Sequence, residues 1–387
     1  MAGAEVNLYL TAVELKARGH DVAILHGPGT GKDESRWNEL FESRFAPGSS
    51  GGDAVRNAVV RFHPDAIYIH KMAELSVLKA LVASEIPVVR MVHDHDLYCM
   101  RSYKYFPLSR KICSGAAGWR CVFPCGAVIA RNRGGRFPFR WMSFSAKRRE
   151  LELNRRFARM VVATDFMRTE LLRNGFHPAR IEVHAPVPRS TETHPQSTFS
   201  SRNRILYTGQ IIRGKGVDVL LEALTRVRSS FECIIVGDGS HRAHCEQLAQ
   251  KLGLGDRVQF TGYVPSDKVA EFYGDASVAV VSSVWPEPFG AVGLEAMRFG
   301  VPVVAFDAGG IREWLFDGQN GFLVPWMDRN TFAQRIDQLL TDKDLARRMG
   351  ENGRRIARER FGFEQYIDGL ERMFARLVEA PQTAAVR

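Results

Sequence analysis

The chain has 387 residues, long enough for two domains with their own cores; 45% are hydrophobic and 25% charged, as in an ordinary globular protein rather than a disordered or fibrous one. No apolar run approaches the roughly 20 residues of a membrane span and no apolar core follows a basic start, so a cytoplasmic protein is expected. The net charge of +10 is uneven: through Pro195 there are 29 Lys and Arg against 19 Asp and Glu, and beyond it 24 against 24.

The start, Gly3-Ala4-Glu5, runs straight into an amphipathic helix with Val6, Leu10, Val13 and Ala17 at helical spacing, stopped at Arg18-Gly19-His20. Asp21 to His26 reads as a strand. Residues 27–52, with Gly29, Gly31, Gly48, Gly51 and Gly52, read as a flexible surface loop. Further strands are expected at Ala66–His70, Val88–His93, Met160–Ala163 and Ile181–His184. Helical patterns such as Leu75, Leu78, Leu81 and Val82 lie between them. Alternating strands and helices imply a parallel sheet covered on both faces.

From Leu97 to Arg149 the chain carries twelve basic residues and no acidic one. Such a window suits an anionic partner (phospholipid, a lipid-phosphate acceptor or nucleic acid) or a solvated face. The same stretch holds Cys99, Cys113, Cys121 and Cys125, spaced C-x13-C-x7-C-x3-C. Disulfides do not suit a cytosolic protein. A tetrathiolate zinc site, unligated thiols and redox chemistry remain three open readings, since no C-x2-C pair marks a metal site. Arg136-Phe137-Pro138-Phe139-Arg140-Trp141-Met142-Ser143-Phe144 interleaves basic and aromatic residues. That pattern fits a membrane interface, single-stranded nucleic acid or simple packing.

Pro186 to Asn203, rich in Pro, Ser and Thr, reads as a linker. The expected organisation is a first domain at 1–186 with an insert at about 97–140, a linker at 187–203, a second domain at 204–360, and a C-terminal helix and tail at 361–387. The second domain repeats the alternation. Strands are expected at Arg204–Thr208, Cys233–Val236, Val258–Thr261, Val278–Val281 and Val301–Phe306, and helices at Val217–Val227, His241–Leu252 and Asp267–Tyr273. Two doubly wound domains bind ligands at the carboxyl ends of their strands, and a cleft between domains is the natural place for an active site.

After the strand Val278–Val281 comes Pro286-Glu287-Pro288-Phe289-Gly290-Ala291-Val292-Gly293-Leu294-Glu295, with a helix opening near Gly290 or Ala291. Amides at a helix start can hold a phosphate or a sugar hydroxyl, and a carboxylate one turn on can accept two hydrogen bonds from a diol. Taken alone, the two glutamates could equally be a helix cap and a surface charge.

The segment resembles the Glu-x7-Glu motif of glycosyltransferase family 4, retaining enzymes of the GT-B fold. Further likeness lies in Gly209-Gln210-Ile211-Ile212-Arg213-Gly214-Lys215-Gly216, Val236-Gly237-Asp238-Gly239, Phe260-Thr261-Gly262 and Asp307-Ala308-Gly309-Gly310. The resemblance implies two Rossmann-like domains facing each other across a cleft. It implies that Glu295 binds the ribose hydroxyls of the donor and Glu287 its sugar. The amides of Phe289, Gly290 and Ala291 would lie against sugar and phosphate, beside Gly209. Lys215 would neutralise the diphosphate, with Arg213 standing in for an arginine the family commonly has where this chain has Gln210.

The first domain matches more loosely. His93 matches a histidine facing the donor sugar, and Asp94 or Asp96 would assist. Gly3 would be what remains of a Gly-Gly loop, because the strand that precedes it in the family is absent. A start placed too late, or a truncated chain, would explain that gap. The family needs no cofactor, so zinc on the cysteines would be structural. The expected partners are a UDP- or GDP-sugar donor, a lipid-linked or saccharide acceptor and an anionic membrane surface, with nucleic acid not expected. Attachment would be peripheral, on the inner face of the membrane. The alternatives are a sugar-nucleotide epimerase of the same fold or a non-catalytic basic adaptor.

Overall fold

The structure, a computed structural model, describes residues 3–27, 34–46, 50–131, 137, 139–187, 199 and 202–379. Almost all of the expected linker lies outside the described residues, as do Gly29, Gly31, Gly48, Arg133, Arg136, Pro138 and the tail from 380. The chain forms two compact units. The first gathers Met1–Lys104, Ser114–Arg189 and Phe363–Arg387, and the second Tyr105–Cys113 and Ser190–Gly362. The insert expected at about 97–140 is thus divided between them.

In chain order the first unit has α1 (Gly3–Ala17), β1 (Ala23–Leu25), α2 (Glu34–Leu40), β2 (Ser43–Phe45), α3 (Gly51–Phe62), β3 (Ile67–His70), α4 (Leu75–Ala83) and β4 (Val88–Val92). It continues with β5 (Ile129–Arg131), β6 (Phe139–Trp141), α5 (Phe144–Asn154), β7 (Arg159–Val162), α6 (Asp165–Arg173) and β8 (Ile181–Val183). A parallel sheet runs in the order β3-β4-β7-β8, while β1 and β2 pair by themselves and β5 and β6 form an antiparallel ribbon. The inner strand β4 is buried at every residue, as a near-continuous apolar run in a parallel sheet should be. Its one polar residue, Arg90, donates to Asn154 Oδ1 at 2.6 Å. Strand β3 is only half-buried along its length. No described strand joins the β1–β2 pair to the four-stranded sheet.

The reading of 27–52 as loop is corrected. Trp37 of α2 packs its ring edge-on to Tyr9, 5.5 Å between centroids, and stacks on Phe41 at 6.1 Å. Ser50 caps α3 by accepting from the Asp53 amide, and Gly51 and Gly52 lie buried against α4. The glycines that suggest flexibility are there a close-packing device.

The second unit has β9 (Arg204–Thr208), α7 (Val217–Leu224), β10 (Glu232–Val236), α8 (Arg242–Lys251), β11 (Val258–Gly262), α9 (Ser266–Gly274) and β12 (Val278–Val281). It ends with α10 (Ala291–Arg298), β13 (Val303–Phe306), β14 (Gly321–Val324), α11 (Arg329–Thr341) and α12 (Lys343–Arg360). All six strands are parallel, in the order β11-β10-β9-β12-β13-β14. The predicted stripe on α7 is real: Val217, Leu220, Leu221 and Leu224 are fully buried, each leucine contributing roughly 1.5–3 kcal/mol. Strand order reverses between β9 and β12, so the loops that leave them open a crevice at their carboxyl ends. Those loops are 209–216 and 282–290.

The final helix, α13 (Phe363–Glu379), belongs to the first unit. It buries Phe363, Tyr366, Ile367, Leu370 and Met373. Arg18 at the end of α1 reaches Glu364, Asp368 and Glu371 at 2.5, 2.6 and 2.6 Å. Among the described residues no helix is long and apolar enough to cross a membrane.

Candidate functional site

The crevice between β9 and β12 holds the two glutamates. Backbone pairing fixes the first: the Glu287 amide donates to Ala308 O at 3.0 Å, and Gly310 N donates to Glu287 O at 2.7 Å. Its side chain is buried. Oε1 accepts from Lys215 Nζ at 2.7 Å, from Trp285 Nε1 at 2.9 Å and from the Ser283 hydroxyl. Oε2 takes no hydrogen bond from a described residue. Burial pushes this carboxyl upward, but the Lys215 ammonium and the three donors outweigh it and hold it below the usual range.

Lys215 is delivered by a short 3-10 turn, Arg213–Lys215, locked to the loop after β12. Gly214 O accepts the amides of Val284 and Trp285 at 2.9 and 3.1 Å, and Ser282 Oγ donates to Lys215 O at 3.0 Å. Gly216 then takes a left-handed conformation, φ 66°, where a Cβ would strike Ser282 O. The ammonium of Lys215 also lies 5.2 Å from the centre of the Trp285 ring.

Gly290, at φ 81°, opens α10 without any side-chain cap. Its first amides, those of Ala291 and Val292, therefore have no partner inside the helix. Phe289 is buried, and its carbonyl accepts from Trp314 Nε1 at 2.6 Å. Glu295 stands on α10 and is partly buried. Its Oε2 lies 3.2 Å from the Tyr273 hydroxyl, which is also 3.1 Å from Val292 O and 2.7 Å from Thr208 Oγ1. Burial raises its carboxyl above the usual range, against the smaller effects of Tyr273 and Arg298. Two carboxylates of one motif thus sit in opposite electrostatic states.

Gly209 leaves β9 with its amide on Val236 O at 3.0 Å and opens the loop to Lys215. Arg213 is not gathered at Glu287; its guanidinium donates to Pro107 O. Gly3 is the first residue of α1.

In the first unit, His93 follows the last residue of β4. Its Nε2 lies 2.7 Å from His70 Nδ1, with ring centroids 5.0 Å apart. His70 Nε2 is buried with no partner among the described residues. A buried orphan N–H costs more than an orphan lone pair. The His70 proton therefore sits on Nδ1 and is donated to His93 Nε2, which leaves the proton of His93 on Nδ1. Burial, then the neighbouring His93 and Arg90 charges, pull His70 down to about 3; burial, then Lys71, pulls His93 down to about 4. Both rings are neutral near pH 7.

Asp94 pairs with Lys71 at 2.9 Å and accepts from the Asp96 amide at 2.9 Å. Burial and the Asp94 charge push Asp96 up to about 6. Sequence reasoning missed His70, Lys71, Ser283, Trp285 and Tyr273. A signal existed for His70: two adjacent parallel strands each run into a histidine, and the register pairs His70 with Met91, two positions before His93.

Part of the basic window is paired with acids outside it. Lys104 is buried against Glu170 at 2.9 Å, Arg110 pairs with Asp218 at 2.5 Å, and Lys147 pairs with Glu150 at 2.6 Å. The four cysteines are half-buried and form no disulfide among the described residues. Among the described residues one group of three or more side chains gathers ligand atoms within 4.8 Å of each other, and it contains none of these cysteines. The aromatic residues of the β5–β6 ribbon are not packed away: Phe137, Phe139 and Trp141 are 74%, 65% and 76% exposed.

A family profile described as "Glycosyl transferases group 1" matches residues 189–356, and one described as "Glycosyltransferase Family 4" matches residues 1–186. The alpha-D-kanosaminyltransferase of Streptomyces kanamyceticus is 29% identical over 248 residues, 60% of this chain and 64% of its own. The lipopolysaccharide core biosynthesis glycosyltransferase LpsE of Rhizobium meliloti is 32% identical over 171 residues, 44% of this chain and 49% of its own. The chain spans less than two thirds of the length of the curated relatives it matches. Among solved structures, HepE of Anabaena in complex with UDP and glucose has a TM-score of 0.72 at 21% identity, over 97% of this chain and 96% of that one.

Proposed function

The chain belongs to the group 1, family 4 glycosyltransferases and has their GT-B fold, and from that membership we propose that it moves a sugar from a nucleotide-diphosphate donor to an acceptor hydroxyl with retention at the anomeric carbon. One observation carries the reading: Glu287 is held ionised by Lys215, Ser283 and Trp285 on one oxygen while the other stays open to a ligand. A carboxylate fixed in that way is prepared to accept from sugar hydroxyls. Glu295 takes the ribose diol. Lys215 and the amides of Ala291 and Val292 take the negative charge that grows on the diphosphate as the bond to the sugar breaks. The acceptor oxygen forms the new bond on the same face, and its proton passes to the departing phosphate. The neutral His93 contributes an Nδ1–H donor to a substrate hydroxyl. Neither a protein nucleophile nor a metal enters these steps.

The solved HepE complex holds UDP and glucose, which favours a UDP-sugar, with a GDP-sugar the other choice. The acceptor is lipid-linked or a saccharide, and surface polysaccharide or glycolipid synthesis at the inner face of the membrane is the setting. On β6, Phe139 and Trp141 point to one side and Arg140 to the other, and these exposed rings seat the protein at an anionic bilayer. A nucleotide-sugar screen tests the reading. Slow release of nucleoside diphosphate from one donor, lost in Glu295→Ala, is expected; no binding of any donor would sink it. Co-sedimentation with anionic liposomes, weakened in a Phe139→Ser, Trp141→Ser double variant, tests the attachment.

A further inference from the structure

Beyond the 209–216 loop in the chain, Asp218, His241 and His244 bring one donor atom each within 4.8 Å of the others. Asp218 stands in the first turn of α7. His241 occupies the N-cap position of α8, a place that favours Ser, Thr, Asp or Asn, and makes no capping hydrogen bond. Its amide is tied to Ile211 O at 2.9 Å, so the ring is anchored to the loop. The ring of His244 stacks on it, centroids 4.5 Å apart. His241 Nε2 is buried with no hydrogen-bond partner among the described residues. It lies 3.8 Å from Asp218 Oδ2, too far for a hydrogen bond. Ligand atoms about 2.0–2.1 Å from a tetrahedral zinc ion stand roughly 3.3 Å apart, so a small inward adjustment closes the set.

We propose that Asp218, His241 and His244 form a site for one zinc-class divalent ion, and that Arg110 holds Asp218 when the ion is absent. Arg110 grips both carboxylate oxygens, at 3.2 and 2.5 Å, and its positive charge opposes a second cation. The starts of α7 and α8 also disfavour a cation, so affinity below that of a dedicated structural zinc site is expected. The ion takes no part in sugar transfer. It braces α7 against α8 where the loop carrying Lys215 is anchored. This inference stands apart from the proposed function.

The test is calorimetric titration of chelator-treated full chain with Zn2+. One equivalent should bind. His244→Ala, which changes an exposed side chain and so spares the fold, should lose that equivalent or weaken it at least about tenfold. Arg110→Ala should tighten it by about tenfold, the scale on which outer partners alter metal affinity. Absence of binding, or binding unchanged in His244→Ala, overturns the site. Unchanged or weaker binding in a folded Arg110→Ala overturns the role of Arg110.

Discussion

Glu287 and Glu295 share a motif but not an environment, and substitution should separate them. Glu287→Gln removes the charge that Lys215, Ser283 and Trp285 converge on. A loss of about 1–3 kcal/mol is expected, read as a lower melting temperature, together with weaker donor binding. Glu295→Gln should do the opposite to stability. A carboxyl whose folded pKa is raised favours the fold at low pH and loses that advantage as pH rises past its unfolded value. At pH 7 the glutamine variant should therefore melt no lower than the wild type, and its relative gain should vanish below about pH 4.5. Donor binding should still be lost. A variant that is both inactive and sturdy marks a residue kept for chemistry.

At the level of elements, the site depends on two glycines that hold loops against neighbours. A Cβ on Gly216 meets Ser282 O at φ 66°, and one on Gly293 meets the ring of Trp314. Gly293→Ala should cost roughly 1–3 kcal/mol, since the indole is pinned by its bond to Phe289 O. Gly216→Ala should displace Lys215 and raise KM for the donor more than it lowers the melting temperature.

Elements of this half were legible where periodicity is strong: β9, β12 and α7 lie where their apolar spacing puts them. The 27–52 stretch was not, because its glycines mask a short helix that rests on Trp37 and on the Lys16 ammonium at Leu40 O. Strand β14 was missed because Gly321–Val324 is only four residues long and follows directly on the polar turn Asp317-Gly318-Gln319-Asn320. The glutamate motif was legible as a local pattern. Its partners were not, because Lys215 is 72 positions from Glu287 and Tyr273 is 22 from Glu295. Only the β9–β12 reversal brings them together.

For the molecule as a whole, the His70–His93 pair predicts acid sensitivity. Both histidines titrate near 6.5 when unfolded but at about 3 and about 4 when folded. Between those values the unfolded chain binds more protons, so stability falls as pH drops from about 6.5 toward 4. Asp96, raised to about 6, works the other way over about 3.8 to 6. The clean readout is a difference: the melting temperature of His70→Phe should decline less than that of the wild type between pH 6.5 and 4. Equal slopes would remove the pair from the account.

The return of α13 to the first unit bears on how the chain is made. A ribosome releases the first unit's sheet strands early, but the helix that covers Asn7 and Tyr68 and answers Arg18 emerges only after the whole second unit. The half that is synthesised first is therefore the half that matures last. A released chain ending at residue 362 should have a protease-resistant second unit and a first unit that is still cut readily, and extending it through Glu379 should close that window.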